Sequence, residues 1–429
     1  MQKFKLLPIT VAVAASLASL SSFAADTNIE ALEKRIQELE SKVVDIDYVN
    51  DQQPAVLTAE TKVPEGIVFS GYARYGAHYK SGDERYVDIG TTGRSVGRLG
   101  NEANGGEVQL AKLFQADNGA IWDVVFMADH WEADAWADDG GLSMKKMYAG
   151  VTNVFESQPE LYMWAGRDFH QRPQQGLNDY FWMTHDGQGA GFNNLDFGGA
   201  KLDMGFVGQV KGGLVNDNGR YAITSKLHSI NAGIGQLDLY ANYGFASDEA
   251  DSDVAGDPKV SDETAYLVGA TLGLGESNKL VVKYGDGADS SVYDLKGDYQ
   301  TLYASVEGSY AASEQFIIDY LVSYKDNSGS DLDRENTEYA GIVRPQYQWD
   351  DVHSTWLEAG YGMVDYDDDG EENAWKVTLS QNVSLGGLPW SRPMLRFYTT
   401  VGDVETKGNT VKTTNVDTLS FGAMFEAWW

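Results

Sequence analysis

The chain has 429 residues, 12% aromatic, with 47 glycines, 9 prolines and no cysteine, a length that fits either two or three soluble domains or one large barrel. The missing cysteine rules out a disulfide framework and thiol chemistry, while much Gly and Tyr with little Pro suits many strands joined by turns. A formal charge of −32 argues against nucleic acid or an anionic ligand and leaves neutral or cationic solutes.

Residues 1–24 read as a secretory signal peptide: Lys3 and Lys5, an apolar run from Leu6 to Leu20, then Ser22-Phe23-Ala24 as a small-x-small cleavage site. No later stretch reaches the ~20 apolar residues of a helical span, so the mature chain is expected to have no transmembrane helix, which leaves a barrel open. In 25–49 the residues Ile29, Leu32, Ile36, Leu39, Val43 and Ile46 make a heptad seam, and Thr27 with Glu30 makes a capping box. So short a coiled coil is marginal by itself. Another element must hold such helices together. Ile at a with Leu at d leans towards two strands, and residues 50–65, with Pro54 and Pro64, read as a linker.

From 66 to 429 the periodicity changes from helical to two-residue. In 67–80 Ile67, Phe69, Ala73, Tyr75 and Tyr79 share one parity, and Ser70, Tyr72, Arg74, His78 and Lys80 the other. The division recurs at Trp122/Val124/Phe126 against Asp123/Asp129, at Leu237/Leu239/Tyr243 against Asp238/Tyr240/Asn242, and at Phe316/Ile318/Tyr320/Val322 against Asp319/Ser323. Roughly sixteen to nineteen such runs, divided by Gly- and Asp-rich turns, make the pattern of a transmembrane barrel with an apolar outside and a polar inside. The final FGAMFEAWW places Phe421, Ala423, Phe425, Ala427 and Trp429 outward, and Glu426 and Trp428 towards the lumen. Lipid cannot satisfy a bare strand edge, so the last strand must close on the first.

One stretch breaks the alternation. Residues 160–192 start as a strand, Leu161–Arg167, with Trp164 and Gly166 on one face and Met163 and Ala165 on the other; after Phe169 the pattern fails. The segment reads as a constriction loop, near 168–195, folded into the lumen. Its Arg172, Gln174, Gln175, Asn178, Asp179, Tyr180, Phe181 and Trp182 suit a carbohydrate, since aromatic faces stack on the C–H face of a sugar ring and charged or amide groups bond its hydroxyls. The mixture also suits a protein partner, and Arg172 with Asp179 can pair to brace the loop.

Other chemistry is thin. DYDDDGEEN at 365–373 begins like a calcium loop, but its twelfth position is Lys376 where a bidentate Glu is required, so it reads as a hairpin, able at most to bridge to lipopolysaccharide through weakly held divalent ions. The six histidines lack metal spacing and no serine sits in a nucleophile elbow. No enzyme activity, cofactor or bound metal is expected.

Several stretches together resemble the maltoporin (sugar porin) family: SGYARYG at 70–76, GRLGNE at 97–102, DHWEAD at 129–134, WAGRDFHQR at 164–172, GQGAGFNNLDFG at 187–198, WSRPMLRFY at 390–398 and the final WW. The resemblance spans 66–429, and the helix before it is similar to the longer members, such as sucrose porins, which carry a periplasmic coiled coil. It implies an all-β fold, a transmembrane antiparallel barrel of about 18 strands with an inward third loop, in a homotrimer in the bacterial outer membrane. By position the aromatic track would include Tyr72, Trp390 and Trp428. Trp131 matches the tryptophan that the family's second loop latches into a neighbouring pore. The polar track would include Arg74, Arg98, Arg172 and Asp179, with Lys145 where the family has an arginine.

The chain departs from the maltodextrin-type pattern. The strand ANGGEVQLAK offers no tyrosine for the slide, Ser277 or nothing stands for another slide aromatic, Gln174 replaces a constriction aspartate, and a deletion in DYFW leaves Tyr180 or Phe181 as the constriction aromatic. These residues lead to an outer-membrane porin that passes oligosaccharides downhill through a shallow series of sites, in contact with lipid and lipopolysaccharide. Its rivals are a general, cation-leaning porin and a structural or adhesive envelope protein.

Overall fold

The computed structural model describes residues 63–84, 86–132, 141–210, 217–251, 259–275, 277–408 and 414–429. The signal peptide, the heptad helix and all but the end of the linker lie outside the described residues. Strands dominate: β1 Val68–Lys80, β2 Asn104–Gln115, β3 Ile121–Glu132, β4 Ser143–Thr152, β5 Tyr162–Asp168, then a short pair, β6 Gln174–Gln175 and β7 Tyr180–Phe181. There follow β8 Gly187–Asp196, β9 Lys201–Val210, β10 Asp217–Asn231, β11 Gln236–Ala246, β12 Thr264–Leu274, β13 Asn278–Asp286 and β14 Gln300–Ala311. The last six are β15 Phe316–Ser328, β16 Asn336–Gln348, β17 His353–Tyr366, β18 Glu371–Ser384, β19 Met394–Lys407 and β20 Thr414–Trp428.

All but β6 and β7 form one antiparallel 18-stranded sheet, and it closes because β1 pairs with β20 as well as β2, in a register running from Tyr72 opposite Trp428 to Lys80 opposite Ser420. The alternation sets the two faces. Phe69, Trp122, Val124, Phe126, Val322, Phe421 and Phe425 are exposed on the outside, whereas Ser70, Arg74, Asp123, Asp129, Ser323 and Glu426 are buried inside. An outer band of large apolar side chains around a polar interior is what lipid outside and water inside require.

The rim where the chain ends carries short turns, such as 197–200 and 232–235, and the opposite rim carries long connections. This is the asymmetry of periplasmic turns and extracellular loops. Three long connections, 81–103, 169–186 and 287–299, fold inward and hold one another. The amides of Arg94 and Arg98 donate to the carbonyls of Asn178 and Leu177 at 2.5 and 2.9 Å, and the Thr184 amide to Ser290 at 2.8 Å. At Gly93, with φ +70°, a Cβ would lie 2.5 Å from the Asn178 carbonyl, so this close approach requires glycine. Trp182, Met183, Val292, Tyr293 and Tyr303 complete an apolar cluster within the barrel.

The inward loop is shorter than its sequence suggests. It ends at 186, and Gly187–Asp196, expected to belong to it, is the barrel strand β8 paired with β5 and β9. GQGAG gives that strand no apolar alternation to read. Its small residues instead let neighbouring backbones approach: a Cβ on Gly189 would lie 1.9 Å from the Phe206 carbonyl.

Candidate functional site

The periplasmic half of the lumen encloses a cavity of ≈ 1030 Å³. One wall is an aromatic column built by parity. Tyr72 on β1, Trp131 on β3 and Trp428 on β20 all point inward, with Tyr72 stacked on Trp131 at 5.9 Å and on Trp428 at 6.5 Å between centroids. Trp131 points into the chamber of its own barrel: it sits within β3, two residues from the inward Asp129. Opposite Tyr72 in register, where the sequence lacks a slide tyrosine, stands Glu107. Trp390 borders the cavity from the periplasmic turn before β19, not from a strand, and is 46% exposed at the mouth.

Guanidinium groups edge the column. Arg74 lies 5.0 Å from the Trp131 ring and Arg392 lies 4.4 Å from that of Trp428. Four side chains converge on Glu426: the Tyr72 hydroxyl donates at 2.8 Å, Arg392 at 2.5 and 3.0 Å, Arg396 at 3.1 Å and Arg98 at 3.4 Å. So dense a set of donors satisfies the buried carboxylate and fixes the rings beside it.

The inward loop closes the other side. Arg172 and Asp179 do not pair with each other. Arg172 faces Asp186 at 3.3 Å and lies 4.2 and 4.1 Å from the rings of Phe169 and Phe181, while Asp179 accepts from Arg74 at 2.8 Å and Gln174 at 2.5 Å. Burial pushes the Asp179 carboxyl up, but Arg74 and Arg98 outweigh it and hold it below the usual carboxylate range. Of the two residues competing for the constriction aromatic, Phe181 borders the cavity, whereas Tyr180 is buried behind it against Tyr303. Lys145 lies elsewhere, on a second cavity of ≈ 310 Å³ with Ser143, Arg167, Phe169 and Asp186, and pairs with Asp129 at 3.5 Å. Phe169 borders both cavities and so marks the boundary between them.

Tyr72, Trp131, Trp390, Trp428, Arg74, Arg98, Arg172, Asp179 and Phe181 thus share one chamber, and Lys145 and Tyr180 do not border it. Sequence reasoning missed Phe169, Glu107 and Arg392 as site residues and passed over Glu426, whose inward parity it had read. Arg392 was hidden because it belongs to a turn, where alternation assigns no face.

A family model described as LamB porin matches residues 67–429. The chain belongs to the LamB porin family. Among solved structures, OccD3 of Pseudomonas aeruginosa aligns over 90% of this chain and 97% of its own at 10% identity, with a TM-score of 0.51. An anion-selective porin from Comamonas acidovorans aligns over 84% and 99% at 12% identity, with a TM-score of 0.44. The first likeness places the closed barrel among porin folds. As a LamB porin this is a diffusion channel of the bacterial outer membrane, and the lumen described above is its path.

Proposed function

We propose that this LamB porin passes neutral oligosaccharides down their gradient, and that Tyr72, Trp131 and Trp428 form the surface on which the sugar rings slide. The observation that carries the reading is the stacked column of three inward rings beside guanidinium and carboxylate groups already paired with one another. Flat rings take the apolar face of a pyranose, and the paired ions exchange hydrogen bonds with its hydroxyls without presenting bare charge. Arg74, Arg98, Arg172 and Asp179 serve as that polar track, and Phe181 as the constriction aromatic. Lys145 meets the sugar earlier, in the outer cavity. Trp390 receives the leaving end at the periplasmic mouth. The working unit is a homotrimer in lipid and lipopolysaccharide, with the 25–49 helix in the periplasm after removal of 1–24.

Block of ion current through the reconstituted channel by maltose oligomers, sucrose and β-glucosides tests this. At least one of these sugars is expected to block saturably, and Trp428→Ala to weaken that block about tenfold. Unblocked current with every sugar would return the channel to the class of general porins.

A further inference from the structure

At the constriction Glu426 and Asp179 are filled with donors, but one pair of acceptors near the periplasmic exit is not. Asp319 on β15 and Gln346 on β16 both point inward and both border the large chamber, beside Ile317, Trp356 and Pro389. Asp319 accepts the Gln346 amide N–H at 2.5 Å, and among the described residues no lysine or arginine pairs with it. Gln346 is 3% exposed, and its amide oxygen, fully buried, has no partner among the described residues. Glu426, by contrast, takes donors from four side chains, and Asp179 takes an arginine and an amide.

Asp319 is half-buried and holds one donor, whereas the buried Gln346 oxygen, left without a donor, costs free energy until a ligand supplies one. The chemistry needed is an uncharged O–H donor. The chamber wall sets Arg74, Arg98, Arg172, Lys279, Arg344 and Arg392 against the carboxylates of Glu107, Asp179, Glu307, Asp319 and Glu426, so it offers an ammonium group no excess of negative charge. The side space among Gln346, Ser354 and Trp356 is only ≈ 10 Å³, room for a single water at most, so one hydroxyl reaches it while the ring stays in the chamber. We infer that Asp319 and Gln346 form an exit subsite that accepts hydroxyl hydrogens from the leading end of a neutral sugar. The pair is thereby a specificity determinant distinct from the aromatic column. Arg392, 4.4 Å from the Trp428 ring and 5.9 Å from that of Trp356, links the column to this wall, so a ring leaving Trp428 arrives beside the pair.

This inference rests on the sugar-porin reading and has its own test. In the full-length channel, block is measured for a sugar that blocks the unaltered protein and for its O-methylated form, which stacks but cannot donate. Each is added from the periplasmic side, with Asp319→Asn, Gln346→Met and Trp428→Ala compared. Methylation is expected to weaken block about tenfold in the unaltered channel, and Asp319→Asn and Gln346→Met to weaken block by the parent sugar and shrink that methylation penalty to about threefold or less. Trp428→Ala should weaken both forms alike and keep the penalty. Conductance within about a fifth of the unaltered value shows that a variant has folded, and Gln346→Met serves as the second variant should Asp319→Asn fail that check. A full methylation penalty in both pair variants, with Trp428→Ala still effective, would overturn the exit subsite and leave the slide standing. If Trp428→Ala is also without effect, both readings fall.

Discussion

The two halves of this lumen share one barrel and one alternation, yet they spend their inward side chains differently. In the extracellular half the loops consume them. Glu358 accepts the Leu99 amide at 2.8 Å and Arg344 at 2.5 and 2.9 Å, Glu338 accepts the Thr91 amide at 2.8 Å, and Thr378 donates to the Leu99 carbonyl at 2.9 Å. In the periplasmic half Tyr72, Trp428, Asp319 and Gln346 border open space. A strand side chain that a loop takes up, as Glu358 is, is held in the plug, whereas one that borders open space can meet a solute; Arg74, which donates to the Ala103 carbonyl at 2.9 Å and still borders the chamber, sits at the boundary. Parity alone gives only the direction in which a side chain points.

If the extracellular half is a fitted plug, breaking its anchor should be severe. Glu358 is fully buried, with Arg344 and Lys376 (3.4 Å) beside it. Glu358→Ala would strand two cations and release the Leu99 amide, a loss of about 3–5 kcal/mol. The expected outcome is a lower unfolding temperature and a larger, noisier single-channel conductance as 81–103 comes away from the wall. A variant with unaltered conductance would show that this loop needs no such anchor.

A milder break uses pH on the third inward loop. Burial pushes the Asp289 carboxyl up, but Lys283 and Lys325 outweigh it and bring it down to about 2. Because this folded value lies below the ordinary ~3.9, the stabilisation is fully present above about pH 4 and is lost as pH falls through about 2, on the order of 2 kcal/mol in all. Amide exchange in 287–299 should therefore accelerate between pH 4 and pH 2 relative to the strands, after correction for intrinsic rates. Asp289→Asn should remove that pH dependence and show fast exchange throughout.

The same division explains what the sequence made legible. Closure of the barrel, the faces of β1, β3 and β20, and the inward Tyr72, Trp428 and Glu426 follow from a two-residue period under lipid on one side and water on the other. What the period could not supply was any residue whose role depends on a loop's path. Arg392 lies in a turn, Trp131 belongs to a strand that the family pattern read as a latch, and the partners of Arg172 and Asp179 sit in distant segments, Asp186 and Arg74. Gly187–Asp196 was lost for the converse reason, since glycine gives a strand no face to read.

The finest test of the division concerns two adjacent residues. Tyr180 and Phe181 form β7, and successive strand side chains point to opposite faces, so only one of them borders the chamber. Phe181 does, 4.1 Å from the Arg172 guanidinium, and Phe181→Ala should free that arginine and weaken sugar block severalfold. Tyr180 is buried, and among the described residues its hydroxyl has no partner. Removing an unpartnered buried hydroxyl relieves a desolvation cost without losing a bond, so Tyr180→Phe should leave stability within about 0.5 kcal/mol or raise it, and leave the block constant unchanged. Titrating the same sugar against both variants distinguishes the two faces. Should Tyr180→Phe weaken block as much as Phe181→Ala, the hydroxyl must reach the sugar, and the boundary between plug and chamber lies one residue from where β7 places it.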